Sequence, residues 1–309
     1  TGGGFGRLGR KFGLTLDNIR AVEVVSADGK LRRASADEYR DLYWGVRGGG
    51  SNFGVVTGFE FQLHPMKREV LLGNFVYPYA RLRDALEFYA EFAARAPDEL
   101  QVDMVFGFPP GNDQGFVFFQ NVYCGAEAEG RKLLKKYAQL GKPVRESLEM
   151  SDYEALQRSG DWDAPRSTAT YMKGGFLPAF VPEVIENIVG GMAPGDGRST
   201  QMIFQQAGGA IGRVPADATA FPHRYAEFNM MTTIRWKPDH DGDAHKQWIR
   251  QYWSTLAPYT NGFYSVEADE DNADQWDRNY QGNFARMVEV KRRYDPDNIF
   301  RLNANVSPA

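Results

Sequence analysis

The chain has 309 residues, 42% hydrophobic and 25% charged, an ordinary composition for a globular protein and enough length for two domains. A formal net charge of -4 and an isoelectric point near 5.7 argue against a nucleic-acid partner bound by phosphate neutralisation, and no apolar run approaches the roughly 20 residues that span a bilayer. One cysteine, Cys124, excludes an intramolecular disulfide, and none of the four histidines pairs at ligand spacing on an obvious helix. His240 and His245 among Asp239, Asp241 and Asp243 could bind a cation but read better as a solvated acidic loop, so no metal is expected.

The chain opens on a glycine-dense turn, Gly2-Gly3-Gly4-Phe5-Gly6, followed by Arg7-Leu8-Gly9. Residues 18–25 read as a strand, and Ala27-Asp28-Gly29-Lys30 as a hairpin turn with Leu31 starting the return strand. Ser35, with Glu38 three residues on, predicts a helix N-cap there and a helix to about Trp44. A second glycine turn, Arg47-Gly48-Gly49-Gly50-Ser51-Asn52-Phe53-Gly54, leads into a strand from Val55 to Leu63 that Pro65 stops. Glycine lets a ligand lie against main-chain N–H groups, and successive N–H groups in such turns form concavities that hold phosphate. Two such turns suit one dinucleotide, although tight turns alone would also explain them.

After Pro65 the texture changes. The spacing of Leu82, Ala85, Leu86, Tyr89, Phe92 and Ala93 predicts a helix over 80–96. Two aromatic strands, 100–108 and 116–123, flank a Pro109-Pro110-Gly111 turn. A helix over 127–140, a short strand near Leu148, a glycine turn at Gly174-Gly175 and a helix after Pro182 follow. Strands near 202–206 and 227–236 and a helix around Trp248 to Leu256 complete this part. Hairpins mixed with helices predict an α+β layer, an antiparallel sheet covered on one face. A helix over 274–293 and an extended tail over 299–306 end the chain.

Gly4-x-Gly6-x-x-Gly9 formally fits a Rossmann fingerprint with Asp28 as the ribose acid, but no strand precedes it and no long helix follows. Walker A and Gly-x-Ser-x-Gly patterns are absent from the sequence.

Three segments together resemble the berberine-bridge-enzyme-like flavin oxidases of the vanillyl-alcohol-oxidase superfamily, whose FAD-binding domain is of the PCMH type. They are the opening glycine turn with Arg10-Lys11-Phe12-Gly13-Leu14-Thr15-Leu16-Asp17-Asn18, the stretch from Asp41 through Val56, and Asn283 through Val306. The resemblance implies the second part of an FAD-binding domain over 1–65, a substrate domain over 66–272 and a C-terminal segment over 273–309 that returns to the flavin domain. It implies FAD held by Gly2, Gly3, Gly4 and Gly6 at the pyrophosphate and ribityl chain. Gly54 and Val56 would serve the adenine side, and Gly50 and Asn52 would also bind the cofactor. Asn303 and Asn305 would reach the isoalloxazine ring or ribityl chain. It further implies a small-molecule substrate such as an alcohol, amine or phenol, with O2 as acceptor and no nucleic-acid or membrane partner. The family attaches its flavin through a His, often also a Cys, upstream of the first glycine motif, and neither is in this chain. A segment before Thr1 is therefore expected, and the chain as it stands is expected to hold no FAD and to be disordered or self-associating near residues 1–15.

A flavin oxidase needs a base to take the substrate proton. Gly262 to Glu267 matches the family's Tyr-x-Asn-Tyr strand, which places Tyr264 at its first and Glu267 at its last position, with Val266 replacing the Asn. Glu267 is the candidate base, although a surface acid beside Asp269 and Asp271 reads equally. Period two puts Asn229, Met231 and Thr233 on one face of a second active-site strand, where Asn229 is the hydrogen-bonding candidate. His223 reads as a structural histidine. Val266 and Met231, where polar groups are expected, leave open a binding or scaffold module without chemistry.

Overall fold

The computed structural model describes residues 1–160, 168–268, 270–272, 274–302 and 304–308. These divide into two units: residues 1–65, 208–226 and 261–309 form the first, and residues 66–207 and 227–260 the second. The sequence reading ran one insert from 66 to 272. Residues 208–226 and 261–272 instead join the first unit, because their groups bond to the opening residues. Trp44 Nε1 donates to the Asp217 carbonyl at 2.8 Å, and Arg224 grips the Asp17 carboxylate with two bonds of 2.7 and 2.8 Å. Neither link is visible as a composition change along the chain.

The first unit opens with a short helix α1 (Gly9–Phe12) and a 3₁₀ turn, Thr15–Asn18. Strands β1 (Ile19–Val25), β2 (Leu31–Ser35) and β3 (Val55–Phe61) form an antiparallel sheet in the order β2-β1-β3. Between β2 and β3 lies α2 (Arg40–Val46). The helix expected from Ser35 starts five residues later. Ser35 ends β2, and its Oγ accepts from the Asp37 and Glu38 N–H groups to close a turn. Tyr39 then takes a left-handed backbone (φ +45°), which blocks helical continuation from the N-terminal side.

The second unit is a seven-stranded antiparallel sheet. Its strands are β4 (Glu69–Pro78), β5 (Leu100–Phe108), β6 (Phe116–Tyr123), β7 (Arg145–Asp152), β8 (Ala169–Leu177), β9 (Arg198–Gln206) and β10 (Phe228–Trp236), in the order β7-β4-β6-β5-β9-β10-β8. Its helices are α3 (Leu82–Ala94), α4 (Glu127–Leu134), α5 (Tyr153–Arg158), α6 (Pro182–Gly191) and α7 (Asp243–Leu256). A 3₁₀ segment, Lys135–Leu140, continues α4. The apolar stripe of α3 packs on Val102, Met104, Phe106 and Phe119 in one core that also takes in Phe204, Phe228 and Met230. Each such side chain contributes about 1.5–3 kcal/mol by leaving water. The glycine turn expected at Gly174-Gly175 does not form. Both residues lie inside β8, directly opposite Met231 and Met230 of β10.

The C-terminal helix also differs from expectation. It breaks into α8 (Trp276–Tyr280) and α9 (Phe284–Tyr294) with a 3₁₀ turn between them. Gln281 has φ +51°, and its side-chain amide donates to the Tyr225 hydroxyl at 3.2 Å, which holds the break. α9 packs on α2: Tyr294 Oη donates to Asp41 at 2.8 Å, and the Arg286 guanidinium lies 4.1 Å from the Trp44 ring centre. The expected extended tail over 299–306 has no strand partner among the described residues.

Candidate active site

The opening glycine turn is pinned from two sides within the first unit. The Gly3 and Gly4 carbonyls accept from Leu16 and Thr15 N–H at 3.0 Å each. On the other side the Gly4 N–H donates to the Tyr264 hydroxyl at 2.8 Å. A Cβ on Gly3 would stand 2.8 Å from the Tyr264 ring, so only glycine lets that ring lie on the backbone. Phe5 packs edge-on against Tyr264 (5.3 Å between ring centres) and Phe221 (6.1 Å), which completes an aromatic wall beside the turn. Gly2 is buried under Val266, whereas a Cβ on Gly6 would meet nothing within 4 Å.

In the second glycine turn, the Gly48 and Gly50 N–H groups converge on the Thr1 carbonyl at 2.8 and 3.4 Å. Gly48 has φ +119°, and a Cβ there would lie 2.3 Å from the Phe221 nitrogen. Gly50 (φ +66°) faces open space. Gly54 and Val56 stand at the start of the edge strand β3. Asn52 acts as a bracket. Its Nδ2 donates to the Gly49 and Ala304 carbonyls at 2.7 and 2.8 Å, and its Oδ1 accepts from Val306 N–H at 2.8 Å. The amide of Asn52 is therefore fully used inside the protein.

That bracket fixes the two residues flanking Asn305 to the second glycine turn. Asn305 Oδ1 is buried and has no hydrogen-bond partner among the described residues. A buried acceptor without a donor costs about 1–3 kcal/mol, so it suits a ligand N–H or O–H at this place. Together with the open backbone at Gly6 and Gly50, this orphaned oxygen fits a flavin nucleotide, which carries donors on both ring and ribityl chain. Asn303 lies outside the described residues.

The sequence-predicted catalytic residues fall in two units. Tyr264 and Glu267 lie in the first unit, on a loop and not on the expected strand, and the Glu267 N–H closes a turn onto the Tyr264 carbonyl at 2.9 Å. Phe263 and Tyr264 are both buried while Val266 is 64% exposed, so the segment has no alternating pattern to pair. Burial holds the Tyr264 phenol above its ordinary pKa, the Gly4 N–H works against that shift, and the Glu267 charge adds to it. Tyr264 is thus a neutral phenol near neutral pH. Glu267 is half-buried. Asn229 lies in the second unit on β10, fully buried, with its Nδ2 donating to Gln205 Oε1 at 3.1 Å. Met231 and Thr233 of the same face are buried as well.

His223 is a buried imidazole of the first unit. Burial lowers its pKa to about 3, against opposing hydrogen bonds involving Asn279 and Asn261.

Sequence reasoning missed three supports of the site. Lys291, fully buried, pairs with Asp295 at 2.6 Å and donates to the Asn52 and Phe300 carbonyls at 2.9 and 2.7 Å. Its four-residue spacing from Asp295 was legible, but its burial was not. Arg224 donates to Thr219 Oγ1 at 2.9 Å besides gripping Asp17. The Thr1 carbonyl, in the glycine cradle, carries no side-chain signal at all. Among the described residues no group of His, Cys, Asp and Glu could hold a metal, and no helix is long and apolar enough to cross a membrane.

A family model described as "Berberine and berberine like" matches residues 264–307, the span that carries Tyr264, Glu267 and the tail. An FAD-linked oxidoreductase of Dictyostelium discoideum is 31% identical over 99% of this chain and 67% of its own length. Solved structures of a berberine-bridge-enzyme-like protein of Arabidopsis thaliana and of a chitooligosaccharide oxidase superpose with TM-scores of 0.86 each, at 22% and 24% identity. Both superpositions cover 99% of this chain and 70% of the other. The chain thus spans about two thirds of the length of the relatives it matches.

Proposed function

The chain belongs to the berberine-bridge-enzyme-like family of FAD-linked oxidoreductases, and we propose that it acts as an oxidase on an alcohol, amine or phenol-like small molecule, with O2 as electron acceptor. FAD is the family's cofactor, and when bound it supplies the two-electron acceptor for the substrate hydride. The observation that carries this reading is Asn305, whose buried Oδ1 has no partner among the described residues and whose neighbours are bracketed to a glycine turn by Asn52.

In this reading the ribityl and pyrophosphate part lies along the turn of Gly2, Gly3, Gly4 and Gly6, where Gly4 is already bonded to Tyr264 and Thr15 and Gly6 offers the open backbone. Gly50, Gly54 and Val56 serve the adenine side, and Asn303 and Asn305 serve the ring. Asn52 keeps the turn and the tail in register and does not itself reach the cofactor through its amide. Glu267 takes the substrate proton on its carboxylate, since the buried Tyr264 phenol is held neutral. Tyr264 fixes the glycine turn through its hydroxyl. Burial and the aromatic wall of Phe5 and Phe221 keep water from that hydroxyl.

Several structural neighbours are described as oxidases of chitooligosaccharide, xylooligosaccharide and other carbohydrates, so sugar alcohols belong in the substrate panel. The test is hydrogen peroxide release from the flavin-loaded protein with sugars, aliphatic and benzylic alcohols, amines and phenols. Peroxide formed with at least one class, and lost in Glu267→Gln, is expected. Bound FAD without peroxide from any class would favour the scaffold reading.

A further inference from the structure

The second unit holds a cavity of about 660 Å³ between the 3₁₀ segment that follows α4 and the edge strand β7. That volume is the size of a small-molecule site. The floor is aromatic: the Phe75 and Tyr137 rings stack at 4.2 Å between centres and 9° between planes, with Tyr77 beside them. Leu134 and Leu148 close the apolar part. β7 pairs Leu148 with Gly73 and Glu146 with Phe75, and the Leu134 and Leu148 side chains pack over Gly73, where a Cβ would stand 2.7 Å from Leu134.

The polar groups of the floor are already satisfied. Tyr77 Oη donates to the Tyr137 carbonyl at 3.1 Å, and Tyr137 Oη donates to Asn121 Oδ1 at 2.9 Å. A ligand therefore meets an apolar floor that asks for no hydrogen bond, in which Phe75 shows more of its ring than the buried Tyr77 and Tyr137. The rim is different. Lys135 and Lys142 line the cavity, and neither ammonium makes an ion pair with a described residue. Glu146, on the β7 wall, is the one acid in the lining, so ammonium groups outnumber carboxylates two to one.

We infer that this cavity is a binding site for a small aromatic carboxylate, with its ring on the Phe75–Tyr137 floor and its anionic end at Lys135 and Lys142. A stacked aromatic floor favours a flat ring in offset or edge-on contact. Unpaired ammoniums at the mouth of an apolar cavity favour an anion over the neutral molecule of the same shape. The site lies within the second unit and uses none of the residues assigned to flavin or to proton transfer.

The test uses the purified protein with leucine methyl groups labelled, titrated with 2-naphthoate and, separately, with the neutral 2-naphthamide. The Leu134 and Leu148 methyl signals should shift saturably with 2-naphthoate, and the amide should bind at least tenfold more weakly. Lys135→Glu combined with Lys142→Glu should weaken 2-naphthoate at least tenfold while leaving the amide unchanged, which also shows that the variant is folded. Ala138→Trp, which places an indole from an exposed lining position into the cavity, should abolish both. No saturable shift at those methyls would overturn the site, as would shifts that survive Ala138→Trp. Equal binding of acid and amide, or no effect of the two lysine reversals, would overturn the anion assignment.

Discussion

The Tyr264 hydroxyl accepts the Gly4 N–H at 2.8 Å across 260 residues of sequence. One bond thus joins the first glycine turn to the loop that carries Glu267, and it makes the geometry of the turn depend on a side chain near the opposite end of the chain.

Tyr264→Phe should remove that acceptor and leave the Gly4 N–H without its partner. The expected cost is about 1–3 kcal/mol of stability and a weaker hold on flavin. If Glu267 is the proton acceptor, Glu267→Gln should lower turnover by about 10²–10⁴-fold while Tyr264→Phe lowers it much less. Turnover that survives in Glu267→Gln but falls 10²-fold or more in Tyr264→Phe would move the base to Tyr264. Burial holds the phenol pKa up and the Glu267 charge adds to it, so an ultraviolet titration of Glu267→Gln should show Tyr264 ionising at somewhat lower pH than in the parent. An unchanged titration would separate the two groups.

His223 should make the protein acid-sensitive. In the folded state its pKa is lowered to about 3 by burial, whereas the unfolded chain protonates near 6.5. The unfolded state therefore binds the extra proton below about pH 6.5, and stability falls as pH drops, by up to about 1.4 kcal/mol per unit until the folded pKa is reached. Urea unfolding of the parent and of His223→Gln at about pH 7 and about pH 5 tests this, with a smaller loss expected in the variant. Equal losses would place the acid sensitivity elsewhere.

The Lys291–Asp295 pair should act as a keystone for the tail. Lys291→Met leaves a buried carboxylate without its ammonium and should cost about 3–5 kcal/mol. Burial by itself pushes the Asp295 carboxyl up, but Lys291 and the N–H groups of Ile299 and Phe300 hold it below its ordinary value. A depressed acid pKa gives stability that is present above about pH 4 and is lost as pH falls through the lowered value. Denaturant midpoints and amide exchange at Val306 check both parts. Exchange at Val306 that does not change in Lys291→Met would show that the tail is held without the pair.

Much of the second unit was legible because its signals are local. The stripe of α3 and the alternation of Val102, Met104, Phe106 and Phe108 each name their own element. Where those signals failed, a longer-range contact decided. Gly174-Gly175 looked like a turn until β10 set two methionines against it. The helix expected from Ser35 was displaced because the serine oxygen closed a turn instead. The glycine turns and Asn305 were readable through resemblance. The bonds that build the site, Tyr264 to Gly4, Arg224 to Asp17 and Asn52 to Val306, join residues more than 200 positions apart. No spacing rule reaches that far.

The most direct measurement is the visible absorption spectrum of the natural protein after gel filtration, in the parent and in Asn305→Ala. The account predicts flavin bands in the parent at about one FAD per chain, and a flavin that is lost or markedly weakened in the variant. A well-folded parent that is colourless and stays so after incubation with FAD would contradict it. Full retention of flavin in Asn305→Ala, with unchanged bands, would contradict the placement of the site at the glycine turn and the tail.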